Sequence, residues 1–138
     1  KGDEWRVVCV VAAGFGAILG HNWPVYFGFK GGKGVLTSFA VTLFIAPVPA
    51  LIALGVFIIV VAITRYVSLG SILAAVSLPL MVFFAGDYLG SVGGLSLIFV
   101  FCLLSAALLI YRHHANIVRL VKGTESKVFA GKSNNAGK

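Results

Sequence analysis

The chain has 138 residues, 59% of them hydrophobic and 11% charged, with a mean hydropathy of +1.03. A soluble domain carries about a quarter charged residues, so a water-soluble core is excluded and an integral membrane protein is implied. The formal charge of +7, from eleven Lys and Arg against four acids, would suggest nucleic acid on a soluble protein. Here the positions of the charges say more than their sum, and no nucleic-acid partner is expected.

In chain order, an apolar run over 7–19 ends at Gly20-His21-Asn22 and opens into a Gly/Lys loop. Residues 35–63 then carry no charge and are interrupted only by APVPA at 46–50. One helix over this run would be about 43 Å long, beyond a hydrocarbon core of roughly 30 Å. Pro47 and Pro49 each remove a backbone donor and restrict the residue before them. The reading is therefore a hairpin of two short helices, 35–46 and 50–63, with the turn between. Further runs over 70–86 and 95–111 follow, then a basic tail from Arg112 that is expected to be disordered over 128–138. Five transmembrane helices in one all-α membrane domain are predicted.

The hairpin places the loops 20–34, 64–69 and 112–138 on one side, with Lys30, Lys33, Arg65, Arg112, Arg119, Lys122, Lys127, Lys132 and Lys138. Only Lys1 and Arg6 remain for the other side, with the segment DYLGSVGG. The excess of basic residues assigns the first side to the cytoplasm. Cys9 and Cys102 lie inside apolar runs without a His or second Cys at metal spacing, and read as small fillers. No cleavable signal peptide is evident, and the opening Lys-Gly-Asp-Glu suggests a piece of a longer chain.

No Asp, Glu, Lys, Arg or His falls inside the four apolar runs, which argues against a pump or ion-coupled transporter. Polar chemistry collects instead in three clusters on the basic side. In GHNWPVYFGFKGGKGVLT, residues 20–37, Gly31, Gly32 and Gly34 can expose backbone N–H groups beside Lys30 and Lys33. The helix that starts at Val35 adds its own N-terminal amides, which together make an anion site. A Walker loop is excluded, because position 27 is Phe and position 34 is Gly. The bland alternative is a flexible basic loop held at the head groups.

In TRYVSLGSI, residues 64–72, Arg65 can pair with a phosphate and Ser68 and Ser71 can donate hydroxyls. An interfacial anchor with an N-cap serine would look the same. In RHHANIVRLVKGTESK, residues 112–127, a straight continuation of the last helix puts His113, Asn116 and Leu120 on one face. A basic stop-transfer flank is the alternative. Asp3, Glu4 and Asp87 lie on the far side, so Glu125 is the one acid on the basic face. Nothing resembles a serine nucleophile elbow, a metal-ligand set or a carboxylate pair, so charge stabilisation and positioning must carry any chemistry.

These three segments, in this order and spacing, resemble the bacterial acyl-phosphate:glycerol-3-phosphate acyltransferases of the PlsY type, over about residues 20–127. The resemblance implies a seven-span inner-membrane enzyme facing the cytoplasm. It would move a fatty acyl group from an acyl phosphate to the sn-1 hydroxyl of glycerol 3-phosphate, giving lysophosphatidic acid in the first step of phospholipid synthesis. It implies no metal and no other cofactor. Gly31, Gly32 and Gly34 with Lys30 and Lys33 correspond to the family's phosphate loop. His113 and Asn116 correspond to its catalytic pair, and His21 and Glu125 take structural places. His114 stands where the family often has Arg and receives no role. The family's first motif, a Ser and an Arg from an N-terminal loop, is not in this sequence. About two further spans would precede position 1, and the chain by itself is expected to be inactive. The competing readings are a non-catalytic adaptor with anion-binding loops and a transporter subunit.

Overall fold

The structure, a computed structural model, describes residues 2–28, 30–85 and 95–128. These form six α-helices: α1 Gly2–Asn22, α2 Val35–Ile45, α3 Pro47–Thr64, α4 Val67–Ala85, α5 Leu95–Arg112 and α6 His114–Val121. A short 3-10 turn at Val25–Phe27 follows α1. The fold is all-α and integral to the membrane. Trp5–Phe27, Pro47–Thr64 and Val67–Phe84 are each long and apolar enough to cross it. Leu97–Arg112 and His114–Val121, bent by 60°, can serve as a fourth span, whereas α2 has only 11 residues.

Two apolar clusters hold the bundle. Ile18, Val82, Phe101 and Cys102 are buried together, with Phe15 edge-on to Phe101 at 6.4 Å. Nearer the polar end, Ala75, Ala106 and Leu109 pack with Val35 and Ile72. Small residues at this second cluster bring α2, α4 and α5 together without filling the space between them. The outward faces remain apolar, as at Ile59, Ile63, Phe83 and Leu104, because lipid rather than water is their solvent.

Four expectations need correction. The first helix runs on through His21 and Asn22 instead of ending at Gly20, and the Trp23 amide still bonds to the Leu19 carbonyl at 2.9 Å. The chain does break near APVPA, but both prolines lie inside the first turn of α3 rather than in the turn before it. First-turn amides have no intrahelical acceptor, so a missing N–H there costs nothing. The first α3 bond is made by the Ala50 amide to the Ala46 carbonyl at 3.1 Å. The loop expected over 64–69 shrinks to Arg65 and Tyr66, since α4 starts at Val67. Arg65 reverses the chain with φ +62°.

The fourth correction concerns the last helix, which does not continue straight. At His113 the backbone amide is shared between the Leu109 and Ile110 carbonyls, and the ring Nδ1 bonds to Leu109 as well at 2.8 Å. A side chain bonded into the ladder is a recognised cause of a kink, and α6 leaves at 60°. The segment DYLGSVGG and the tail over 129–138 lie outside the described residues.

Candidate functional site

The three polar clusters converge at one end of the bundle. Arg112 at the end of α5 reaches the Gly/Lys loop, where its Nη2 donates to the carbonyls of Gly31 at 3.0 Å and Gly32 at 2.8 Å. Its guanidinium also lies 5.3 Å from the centre of the Trp23 ring. The segment after α6 returns to the start of α4, and the Val128 amide donates to the Arg65 carbonyl at 2.9 Å.

The loop is shaped by close approach and by handedness. A methyl group on Gly31 would collide with the His21 carbonyl oxygen, and one on Gly32 would lie 2.6 Å from His21 Nε2. Gly34 caps α2 with φ +71°, a left-handed conformation that costs a non-glycine residue roughly 1–2 kcal/mol. Its Cα sits over the buried Asn22, and a Cβ there would be 2.8 Å from Asn22 Oδ1. The end of α1 is thus the bed on which the glycines lie, and α2 begins directly from the loop.

Glu125 is the other organising group. Its Oε1 accepts from Ser68 Oγ at 2.7 Å and Asn116 Nδ2 at 2.6 Å, and its Oε2 accepts from Arg119 Nε at 2.7 Å. One carboxylate therefore ties α4, α6 and the following segment together. The hydrogen bond from Asn116, with those from Arg119 and Ser68, lowers its pKa to about 2. The Oδ1 of Asn116 is buried without a partner.

Between these two arrangements lies a polar cavity of about 350 Å³, lined among others by Lys33, Val35, Ser68, Ser71, His113, Asn116, Glu125 and Lys127. His113 is 2% exposed. Burial lowers its pKa from 6.5, and the positive charge of Lys33 acts in the same direction. The Leu109 carbonyl can only accept, so Nδ1 carries the proton and the neutral ring keeps Nε2 as an acceptor. A neutral imidazole beside a lysine can thus accept a hydrogen bond from a hydroxyl, while Lys33 supplies the charge for an anion.

A second space of about 250 Å³ runs inward between α2, α3, α4 and α5. Its walls are Leu36, Phe39, Thr42, Ala53, Phe57, Ala75, Leu78, Ala106 and Leu109, with Ser38 and Ser105 as polar interruptions. Val35 and Ser71 line both spaces. An amphiphile with a phosphate head and an apolar tail would span the two.

The structure therefore brings Lys33, Ser68, Ser71, His113, Asn116 and Glu125 to one cavity. It does not bring Arg65 or Lys30 to that cavity's walls, and both are exposed. Ser71 lines the cavity while its hydroxyl bonds to the Val67 carbonyl at 2.9 Å. His114 faces away, exposed, with Nδ1 3.0 Å from the Tyr111 carbonyl. Sequence reasoning missed the contact of Arg112 with the loop and the bed formed by Asn22. It also missed the orphan hydroxyl of Ser105, buried with no partner. No pattern in the sequence signals these, because the first two are contacts between separate segments and the third follows from how the helices pack around Ser105. Among the described residues no group of three or more His, Cys, Asp or Glu could hold a metal ion.

A family-wide sequence profile, that of glycerol-3-phosphate acyltransferase, matches residues 4–123. A glycerol-3-phosphate acyltransferase of a Thermoanaerobacter species is 42% identical over 118 residues, covering 84% of this chain and 55% of the relative. Its counterpart in Clostridioides difficile is 45% identical over 122 residues, covering 88% and 52%. A crystal structure of PlsY, described as an integral membrane glycerol 3-phosphate acyltransferase in its glycerol 3-phosphate form, superposes with a TM-score of 0.76 at 40% identity. That match covers 86% of this chain and 56% of the PlsY chain. The lysophosphatidic acid form of PlsY gives a TM-score of 0.71 at 41% identity, covering 80% and 53%. The chain spans about half the length of the curated relatives it matches.

Proposed function

Because this chain belongs to the glycerol-3-phosphate acyltransferase family, we propose that the polar end of its bundle serves acyl transfer between two phosphate-bearing substrates. The acceptor is glycerol 3-phosphate and the donor an acyl phosphate. The observation that carries the reading is the wall that a polar, lysine-bearing cavity and an apolar groove have in common, at Val35 and Ser71. A fatty acyl phosphate has its reactive carbonyl at the junction of its charged and apolar parts, so such a wall is where that carbonyl would lie. The curated relatives and the PlsY structures are named as glycerol-3-phosphate acyltransferases.

In this mechanism the acyl tail occupies the groove, and the phosphates lie against Lys33 and the N-terminal amides of α2, which favour negative charge. The sn-1 oxygen of glycerol 3-phosphate attacks the carbonyl carbon of the donor. The new C–O ester bond forms, and the bond from that carbon to the phosphate oxygen breaks. The hydroxyl proton passes to a phosphate oxygen, which leaves as inorganic phosphate. His113, neutral with Nε2 as acceptor, orients the attacking hydroxyl. Asn116, fixed by Glu125, keeps its own Oδ1 for a donor. Because phosphate is already a good leaving group, no covalent intermediate on a side chain is needed, and proximity supplies much of the rate.

The same reading puts the polar end at the cytoplasmic face of the inner membrane, with α2 and α3 as a short hairpin in a five-span chain. Lipid is then a partner as solvent. The test uses membranes expressing the complete open reading frame that carries this sequence. Labelled glycerol 3-phosphate with an acyl phosphate should give lysophosphatidic acid and an equal amount of phosphate, without added metal. Product formation from acyl-CoA but not from acyl phosphate would sink the proposed donor.

A further inference from the structure

Arg112 does not line the polar cavity. It lies behind the Gly/Lys loop, and its contacts dictate how that loop faces. Its Nη2 donates to two consecutive carbonyls, of Gly31 and Gly32, at 3.0 and 2.8 Å. In a trans peptide the C=O of one residue and the N–H of the next point in opposite directions, and no described peptide bond is cis. Drawing both carbonyls toward Arg112 therefore turns the Gly32 and Lys33 amides to the opposite face of the loop. Two successive N–H groups on one face make a concavity for an anion, and Lys33, which bears the second amide, is the loop residue that lines the cavity.

The guanidinium is itself held. Trp23 stacks at 5.3 Å, and Nε is buried without a partner, so this side chain gives up solvation to stay where it is. Hydrogen-bonding a carbonyl to a cation also polarises the peptide and makes its N–H a stronger donor. We infer that Arg112 is a positioning residue for phosphate: from behind the loop it turns the Gly32 and Lys33 amides toward a bound phosphate without touching it. The inference rests on the acyl-transfer reading above for the identity of the ligand. That phosphate belongs either to glycerol 3-phosphate or to the acyl phosphate, and varying each substrate separately tells which.

The test compares Arg112→Met, which keeps apolar length but has no donor, with Arg112→Lys, which can still donate to the loop carbonyls. It uses the complete open reading frame in membranes or detergent. Arg112→Met should raise KM for one phosphate substrate at least tenfold with kcat changed less than threefold, and Arg112→Lys should recover most of the loss. Without substrate, amide hydrogen exchange over residues 30–34 should quicken at least tenfold in Arg112→Met. Unchanged KM values in Arg112→Met at normal expression would reduce Arg112 to a head-group anchor and overturn the inference. A raised KM with unchanged loop exchange would overturn it too, since Arg112 would then be touching the phosphate itself. If the unsubstituted protein makes no lysophosphatidic acid, the acyl-transfer reading fails, and loop exchange in Arg112→Met still decides whether Arg112 holds the loop.

Discussion

Removing the Glu125 side chain should release the segment after α6 from the bundle. Three donors converge on its carboxylate, which is 6% exposed. Arg119 is 46% exposed, so its ion pair is screened and contributes at most about 1 kcal/mol. Ser68 can redirect its hydroxyl to a carbonyl of its own helix. Asn116 has no such recourse: its Oδ1 is already unpartnered, and losing Glu125 would strand the whole amide at about 1–3 kcal/mol. Glu125→Ala should therefore cost about 1–4 kcal/mol, equivalent to roughly 5- to 900-fold more frequent opening. Glu125→Gln keeps an oxygen for Ser68 and Asn116 but turns an NH₂ toward Arg119, and should lose less.

The assay is limited trypsin cleavage after Arg119, Lys122 and Lys127 in detergent at pH 7, followed by the rate of the nick. Acidity should act in the same direction. The folded carboxylate titrates near 2 against an ordinary 4.5, so the released segment binds protons more readily than the folded one. The stabilisation is complete above about 4.5 and is lost as pH falls toward 2. Equal nicking rates for the unsubstituted protein, Glu125→Gln and Glu125→Ala would refute the role of this carboxylate as the tie.

The remaining predictions concern the site and its topology. His113→Ala should lower turnover at least tenfold, about 1.4 kcal/mol of barrier, while His114→Ala should cost little; acylation of glycerol 3-phosphate measures both, and the reverse ranking would refute the role given to Nε2. Ala75→Phe fills the apolar groove from α4, and a chain-length series of acyl phosphates should show the preference moving to shorter chains; an unaltered preference means the tail lies elsewhere. A cysteine placed at Val48, which is exposed, should react with a charged reagent only from the side opposite Lys33; labelling from the Lys33 side would refute the hairpin.

The helices were legible because hydrocarbon excludes charge: every described helix from α1 to α5 contains an apolar run, and APVPA marks a real break. Helix ends were less legible. His21 and Asn22 are polar, yet they stay helical because Asn22 is buried under Gly34, a contact made across the loop. Arg65 and Ser68 look equivalent in TRYVSLGSI, but a connection of only two residues sends Ser68 inward to Glu125 and leaves Arg65 outside. The spacing of His113 and Asn116 suggested a shared helical face. They meet at one cavity instead through a 60° bend, made where the His113 ring bonds to the carbonyl of Leu109. Spacing could not reveal Arg112, since one more arginine at the end of a span is what any head-group flank contains.

The groove has a consequence for how the rate depends on concentration. Leu36, on its wall, is 78% exposed, on a helix whose outward surface is lipid-facing. If the proposed acyl donor enters there, it comes from the bilayer and keeps its tail in an oily surrounding throughout. Its encounter with the protein is then two-dimensional, and the variable that saturates the enzyme is the donor's mole fraction among the lipids. Adding inert phospholipid at constant bulk donor should slow the reaction, whereas concentrating the membranes with their donor at fixed glycerol 3-phosphate concentration should leave the turnover of each molecule unchanged. Glycerol 3-phosphate, arriving from water at the polar end, should follow ordinary volume concentration in the same experiment.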